Sequence, residues 1–215
     1  MKTVSALLCV AFCLFVGLPE SHAGSICSAS PNLVANCGFE TGDFTSWTLS
    51  GNDVPGELGN LYGVEFGADP IDGILPNSGS YQAYFADLVS NATTISQTIP
   101  TSVGTQYAVS WYLAQDTAPS TEYSNLFSAS FGGVSLVSLT AMPVQGYTFY
   151  SYVAAPTSSS SVLSLTLGNG LGEFLLDDVT VTAAPEPAAW TLVLAGVLAC
   201  IFGRKLIARG LHSQA

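Results

Sequence analysis

Between Gly24 and Ala184 the chain contains no lysine, no arginine and no histidine. Its four basic residues, Lys2, Arg204, Lys205 and Arg209, and both histidines, His22 and His212, lie outside that stretch. Of the fifteen Asp and Glu residues, all but Glu20 and Glu186 lie inside it, so the middle carries thirteen carboxylates and no cation. Nucleic-acid binding needs phosphates neutralised by Lys or Arg, and is excluded there. Ser-His and Cys-His nucleophiles lack their imidazole base. Phosphoryl transfer lacks its cationic clamp, and zinc held by histidine lacks its ligand. What remains is paired carboxylates, cations held by oxygen, and recognition of neutral ligands by aromatic and amide groups.

Helical periodicity is also missing from the middle, where no amphipathic run exceeds ten residues. Short alternating runs recur at intervals of about ten residues instead, separated by Gly, Pro, Ser and Asn. Tyr107, Val109, Trp111 and Leu113 share one face of a strand. Leu126–Phe131 and Val134–Leu139, joined by Gly132-Gly133, form an expected hairpin, because two glycines supply the positive φ of a type I′ turn. Ser161–Leu167 alternates again, and residues 157–161 form a serine-rich loop. Residues 52–77, rich in Gly, Pro and Asp, form a long loop with one short strand near Val64. The pattern predicts an all-β, two-sheet jelly-roll sandwich of about ten strands over residues 24–183.

Both ends are long and apolar. Residues 1–23 have the anatomy of a secretory signal, with Lys2 ahead of the apolar stretch Val4–Leu18 and Ser21-His22-Ala23 as a small-x-small cleavage site. An uncleaved anchor is the alternative. Export through the Sec translocon places the middle in an oxidising compartment, which favours a Cys27–Cys37 bond worth about 2–3 kcal/mol over two free thiols. At the other end, residues 188–208 form an apolar helix that reaches about 30 Å when basic side chains snorkel. Arg204, Lys205 and Arg209 then mark the cytoplasmic side, with 209–215 as a tail.

Pro185-Glu186-Pro187 within linker 184–187, followed by that helix and basic cluster, resembles the PEP-CTERM sorting signal of Gram-negative, biofilm-forming bacteria. The resemblance implies an exosortase that recognises the tripeptide, and a helix that anchors the protein in the inner membrane during sorting. The destination is then the cell surface or an extracellular matrix of exopolysaccharide. The tail is longer than the few basic residues usual in that family, and a plain C-terminal anchor is the alternative.

Two acidic stretches stand out: Asn36-Cys37-Gly38-Phe39-Glu40-Thr41-Gly42-Asp43, and the closing run Phe174–Val181 with Asp177 and Asp178 side by side. Strict alternation puts Asp177 on the core face with Val179 and Val181, and Asp178 outward with Thr180. A buried carboxylate without a cation must be protonated, held by backbone N–H groups, or bound to a metal. Oxygen-rich surroundings suit Ca²⁺. The stretches Asn32–Trp47 and Gly172–Val181 resemble the opening and closing strands of galactose-binding-like jelly rolls found in bacterial carbohydrate-binding modules. That resemblance implies a structural Ca²⁺ held by Glu40, Asp177 and the carbonyl of Gly38. Cys37 and Ser46 stand where the family pattern has glycine.

These observations point to a noncatalytic exported surface or matrix protein, of which a glycan-binding protein is the narrower version. Tyr112, Tyr150 and Tyr152, with Tyr147 and Phe149 beside them, are candidate stacking residues, although sandwich cores use the same types. The alternative is a secreted glycoside hydrolase using two carboxylates from Glu57, Asp69 and Asp72.

Overall fold

The computed structural model describes residues 26–28, 31–51, 61–68, 73–120 and 124–184. The expected signal segment, the sorting tripeptide, the apolar helix and the tail lie outside these residues. Among the described residues, no helix is long and apolar enough to cross a membrane.

Ten strands form two five-stranded antiparallel sheets. In chain order they are β1 (Thr48–Ser50), β2 (Tyr62–Phe66), β3 (Tyr81–Phe85), β4 (Thr93–Pro100), β5 (Tyr107–Gln115), β6 (Asn125–Phe131), β7 (Val134–Thr140), β8 (Gln145–Ala154), β9 (Ser160–Asn169) and β10 (Phe174–Ala183). One sheet runs β1-β4-β9-β6-β7 and the other β2-β3-β10-β5-β8. Strands adjacent in sequence often fall in opposite sheets, so the core is closed by contacts distant along the chain.

The alternation seen in the sequence sets the inner faces. Tyr107, Val109, Trp111 and Leu113 of β5 are buried, as are Phe127, Ala129 and Phe131 of β6 and Leu163, Leu165 and Leu167 of β9. Trp111 lies at the centre, with ring centroids 5.3 Å from Phe127, 5.5 Å from Tyr152 and 6.0 Å from Tyr150. Trp47 is also buried and stacks on Phe39 at 5.9 Å. The β6–β7 turn has φ of 58° at Gly132 and 80° at Gly133, as a type I′ hairpin requires. Residues 157–159 form the expected loop, and the short strand near Val64 is β2.

β10 is central in its sheet, yet β3 pairs only with Phe174, Leu175 and Leu176. Beyond that point the segment from Asn32 to Cys37 takes the place of β3. Cys37 O accepts from Val179 N, and Val181 O accepts from Leu33 N, both at 2.9 Å. Asn32 Oδ1 accepts from Val181 N at 3.1 Å. A disulfide between Cys27 and Cys37 ties this segment down.

Phe127→Ala is expected to cost about 3–5 kcal/mol by denaturant unfolding, because it removes a fully buried ring packed against Trp111 and Phe174. Gly133→Ala is expected to cost about 1 kcal/mol. No atom crowds a Cβ there, so its cost is backbone strain alone. A loss above 3 kcal/mol at Gly133 would contradict the turn assignment.

Candidate functional site

The junction between β3 and the N-terminal segment is where β10 breaks its alternation. The β10–β5 register shifts between Asp177 and Thr180, and Asp178 has φ of 53°. One extra residue lies opposite β5 there, which makes a β-bulge. Antiparallel partners share a face. Leu176 therefore points inward with Leu113, and Asp177 points outward with Tyr112. The expected alternation thus fails in two respects. Asp177 lies on the face opposite Val179 and Val181, and Asp178 is fully buried rather than outward.

Both carboxylates are nevertheless fully enclosed, because the ribbon Asn77–Tyr81 and the Gly38 backbone cover them. Asp177 Oδ2 accepts from Ser78 N at 3.0 Å, and its Oδ1 accepts from Asp178 N at 2.7 Å. Asp178 accepts from Ser78 Oγ at 2.9 Å and from Asn77 Nδ2 at 2.8 Å. Glu40 is exposed and accepts from the next residues of that ribbon, Ser80 N at 3.0 Å and Tyr81 N at 3.2 Å. One ribbon therefore links Glu40 to Asp177. One glycine allows the approach, and a second lies in contact with the pair. A Cβ at Gly79, where φ is 65°, would fall 2.1 Å from Glu40 Oε1. At Gly38 a Cβ would meet Asp177 Oδ1 and Cys27 Sγ, each at 3.4 Å.

Asp43 has a different task. It accepts from Thr41 Oγ1 and Thr45 N, and hydrogen bonds from Thr45 and Thr41 hold its carboxyl below the usual range. It shapes the turn that leads into Trp47. Ser46, in the position where the family pattern has glycine, has φ of 73°, which explains why glycine suits that position.

Burial, and then the charge of Asp178, push the Asp177 carboxyl up to about 8. The groups around it donate or present oxygen. Cys27 and Cys37 adjoin Asp178 but offer no thiolate, since they are joined to each other. Both oxygens of Asp177 are held by backbone N–H donors, one of the three outcomes open to a buried carboxylate without a cation.

The outer face of the β2-β3-β10-β5-β8 sheet has a second feature, which the sequence showed only in part. Tyr84 lies over Gly63, where a Cβ would come 2.6 Å from the ring. Burial, then Glu173 and Glu65, push the Tyr84 hydroxyl upward. Tyr147 O–H donates to Gln82 Oε1 at 2.8 Å, and Gln82 Nε2 donates to Glu65 Oε1 at 2.7 Å. Tyr112 packs on Phe149 at 5.1 Å, and Phe149 is 51% exposed. Tyr150 and Tyr152 instead lie half-buried on the core side against Trp111, so the three candidate tyrosines do not share a face. Tyr84 and Gln82 were missed in the sequence, where nothing sets β3 apart from a loop edge. Beyond Tyr84 this face ends in a cleft of about 270 Å³ lined by Leu61, Asp116, Asn169, Leu171 and Glu173, among others. Glu57, Asp69 and Asp72 lie outside the described residues.

No family model and no curated protein sequence matches the chain. Solved structures do. TmCBM61 in complex with β-1,4-galactotriose matches with TM-score 0.50 and 19% identity, over 72% of this chain and 100% of that one. The enzymatically active domain of tailspike protein 4 from bacteriophage CBA120 matches with TM-score 0.49 and 19% identity, over 71% of this chain and 21% of that one. Family 16 carbohydrate binding module-2 matches with TM-score 0.47 and 14% identity, over 70% and 99%. The first match shows a shared fold, the jelly-roll sandwich of a carbohydrate-binding module.

In chelated buffer, stability is expected to fall as pH rises from about 4 to about 8. The native Asp177 carboxyl keeps its proton up to about 8, whereas the unfolded group loses it near 3.8, so deprotonation favours the unfolded chain across that window. Asp177→Asn keeps an acceptor for Ser78 N and is expected to flatten the melting-temperature profile. A wild-type profile already flat between pH 5 and pH 8 would contradict this.

Proposed function

We propose that this chain is a noncatalytic exported module that binds glycans on the outer face of the β2-β3-β10-β5-β8 sheet. The observation that carries the reading is the outward set Tyr84, Tyr112, Tyr147 and Phe149, with Gln82, Glu65 and Glu173 at its margin. Aromatic rings stack on the apolar faces of sugar rings, and amide and carboxylate groups accept from their hydroxyls. TmCBM61, which shares the fold, is seen in complex with a galactotriose. A carbohydrate ligand is therefore consistent with this architecture.

We further propose that Ca²⁺ is held by Glu40 and Asp177, with the carbonyl of Gly38. Bound there, it would supply the positive charge that residues 24–184 lack, and would fasten the N-terminal segment to β10. Sorting through the Pro185-Glu186-Pro187 signal by an exosortase completes the reading, with delivery to the cell surface or exopolysaccharide. It is supported by the tripeptide, the apolar stretch and the basic cluster Arg204, Lys205 and Arg209 in the sequence.

The glycan reading is tested by binding the chain to a panel of neutral and acidic oligosaccharides. Tyr84→Ala is expected to weaken binding about tenfold or more, a loss of about 1.4 kcal/mol. Tyr152→Ala, on the core side, is expected to lower stability rather than change specificity. No binding across the panel would end the reading. For the cation, added Ca²⁺ is expected to raise the melting temperature of the wild type at pH 7–8 but not that of Asp177→Asn. For export, the intact mass of the product is expected to show that residues 1–23 have been removed, and the same mass reads whether the chain is cut near Pro185-Glu186-Pro187.

A further inference from the structure

We infer that β8 is a self-pairing edge, through which two copies of this chain join their outer sheets into one continuous surface. From Tyr123 to Gly172 the sequence has no charged side chain, although the chain as a whole carries a formal net charge of −11. That stretch supplies β6, β7, β8 and β9, and two of these are sheet edges: β7 in one sheet and β8 in the other. Natural edge strands are usually blunted by lysine, proline, a bulge or brevity. β8 is ten residues long, Gln145–Ala154, with neither charge nor proline. Among the described residues, no strand pairs with its far side.

The occupant follows from charge. Two copies carry the same negative excess and repel through every face that bears carboxylates. The uncharged wall is where like molecules can meet without that cost. Large apolar side chains are also exposed along it: Val144, Phe149 and Val153, at 56%, 51% and 60%. An antiparallel strand is its own complement under a two-fold axis. An axis at Phe149 would pair Gln145 with Val153 of the second copy and Tyr147 with Ser151, using the whole strand. Phe149 would then face Phe149 beside Tyr112 on both copies, and the aromatic faces would run on across the seam. This inference does not depend on sugar binding, because pairing uses backbone groups.

Directly opposed residues of antiparallel strands have Cα atoms about 4.5–5.5 Å apart, within the range of about 4.4–6.8 Å that a disulfide spans. The full chain is exported in a Gram-negative host, oxidised mildly in its membranes and run on non-reducing gels. Phe149→Cys is expected to give a covalent dimer at several times the level of the parent chain. Thr98→Cys, exposed on β4, serves as the control and is expected not to do so. The double variant Tyr147→Cys/Ser151→Cys, which keeps Phe149, is expected to link across the same axis. Adding Val153→Lys to Phe149→Cys is expected to reduce the dimer about tenfold by bringing a charge into the seam. A Phe149→Cys yield no higher than that of Thr98→Cys, or a dimer indifferent to Val153→Lys, would overturn the inference. Glycan binding by a chain that fails these tests would leave the functional reading intact.

Discussion

Two carboxylates, Asp177 and Asp178, are enclosed in a domain that has no cationic side chain to meet them. An isolated buried charge would cost many kcal/mol, so every arrangement around this pair must supply hydrogen bonds in its place. Ser78 supplies two, from its N–H and its hydroxyl. Asn77 and the Asp178 amide supply the others. Hydrogen bonds to charged groups contribute about 1.5–3 kcal/mol each. That is enough to tolerate one ionised carboxylate, but not two at close range. Hence the proton that Asp177 retains, or a cation in its place. The constraint extends outward: the Asn77–Tyr81 ribbon must keep its path, Gly79 must stay small, and the Cys27–Cys37 bond must hold the N-terminal segment against β10.

The handover on β10 explains why this pair occurs where it does. β3 leaves the strand after Leu176, and the Asn32–Cys37 segment joins it from Val179 onward. Between those partners, about two residues of β10 lack a neighbour on that side. A bulge fills the gap by turning Asp178 into the left-handed region and spending side-chain oxygens on the ribbon next to it. Burial is thus a consequence of topology rather than of apolar packing.

This also decides how much the sequence could show. The inner faces of β5, β6 and β9 were legible, because buried strands in a two-sheet sandwich repeat every two residues and that period is local. The Gly132-Gly133 turn was legible for the same reason, since its φ values belong to the turn itself. Period two presumes that no residue is inserted, however, and the extra residue on β10 reflects what pairs with it, about ninety residues away in β3 and over a hundred away in the N-terminal segment. The placing of Asp177 and Asp178 therefore failed where alternation was applied across the bulge. The tyrosines divide in the same way. Tyr150 faces inward because Trp111 is its cross-strand partner, while Tyr112 and Phe149, partners one place along, face outward. Composition marks all of them as aromatic; only the register separates core from surface. Glu40 was recognisable from its motif, yet its donors, Ser80 N and Tyr81 N, are backbone groups just past the loop 52–77, and no sequence signal marks them.

The distribution of charge favours one class of ligand under the glycan reading. Glu65 and Glu173 flank Tyr84, and no cation in the domain offsets them. A sugar hydroxyl meeting either carboxylate gains a charge-assisted hydrogen bond, which is stronger than one between neutral groups. A uronate or sulfate there would meet like charge in a partly desolvated place, and the interaction would change sign. Under the glycan reading the same two residues would attract neutral rings and repel acidic ones, with no separate selectivity device. A dication bridging the surface to an acidic polymer would reverse that preference, so the preference holds where free Ca²⁺ is scarce. Under that reading, selectivity on this face would follow from the same absence that governs the interior: without cationic side chains, a domain meets a buried acid with neutral donors or a bound ion, and would meet a sugar through its hydroxyls and its apolar faces.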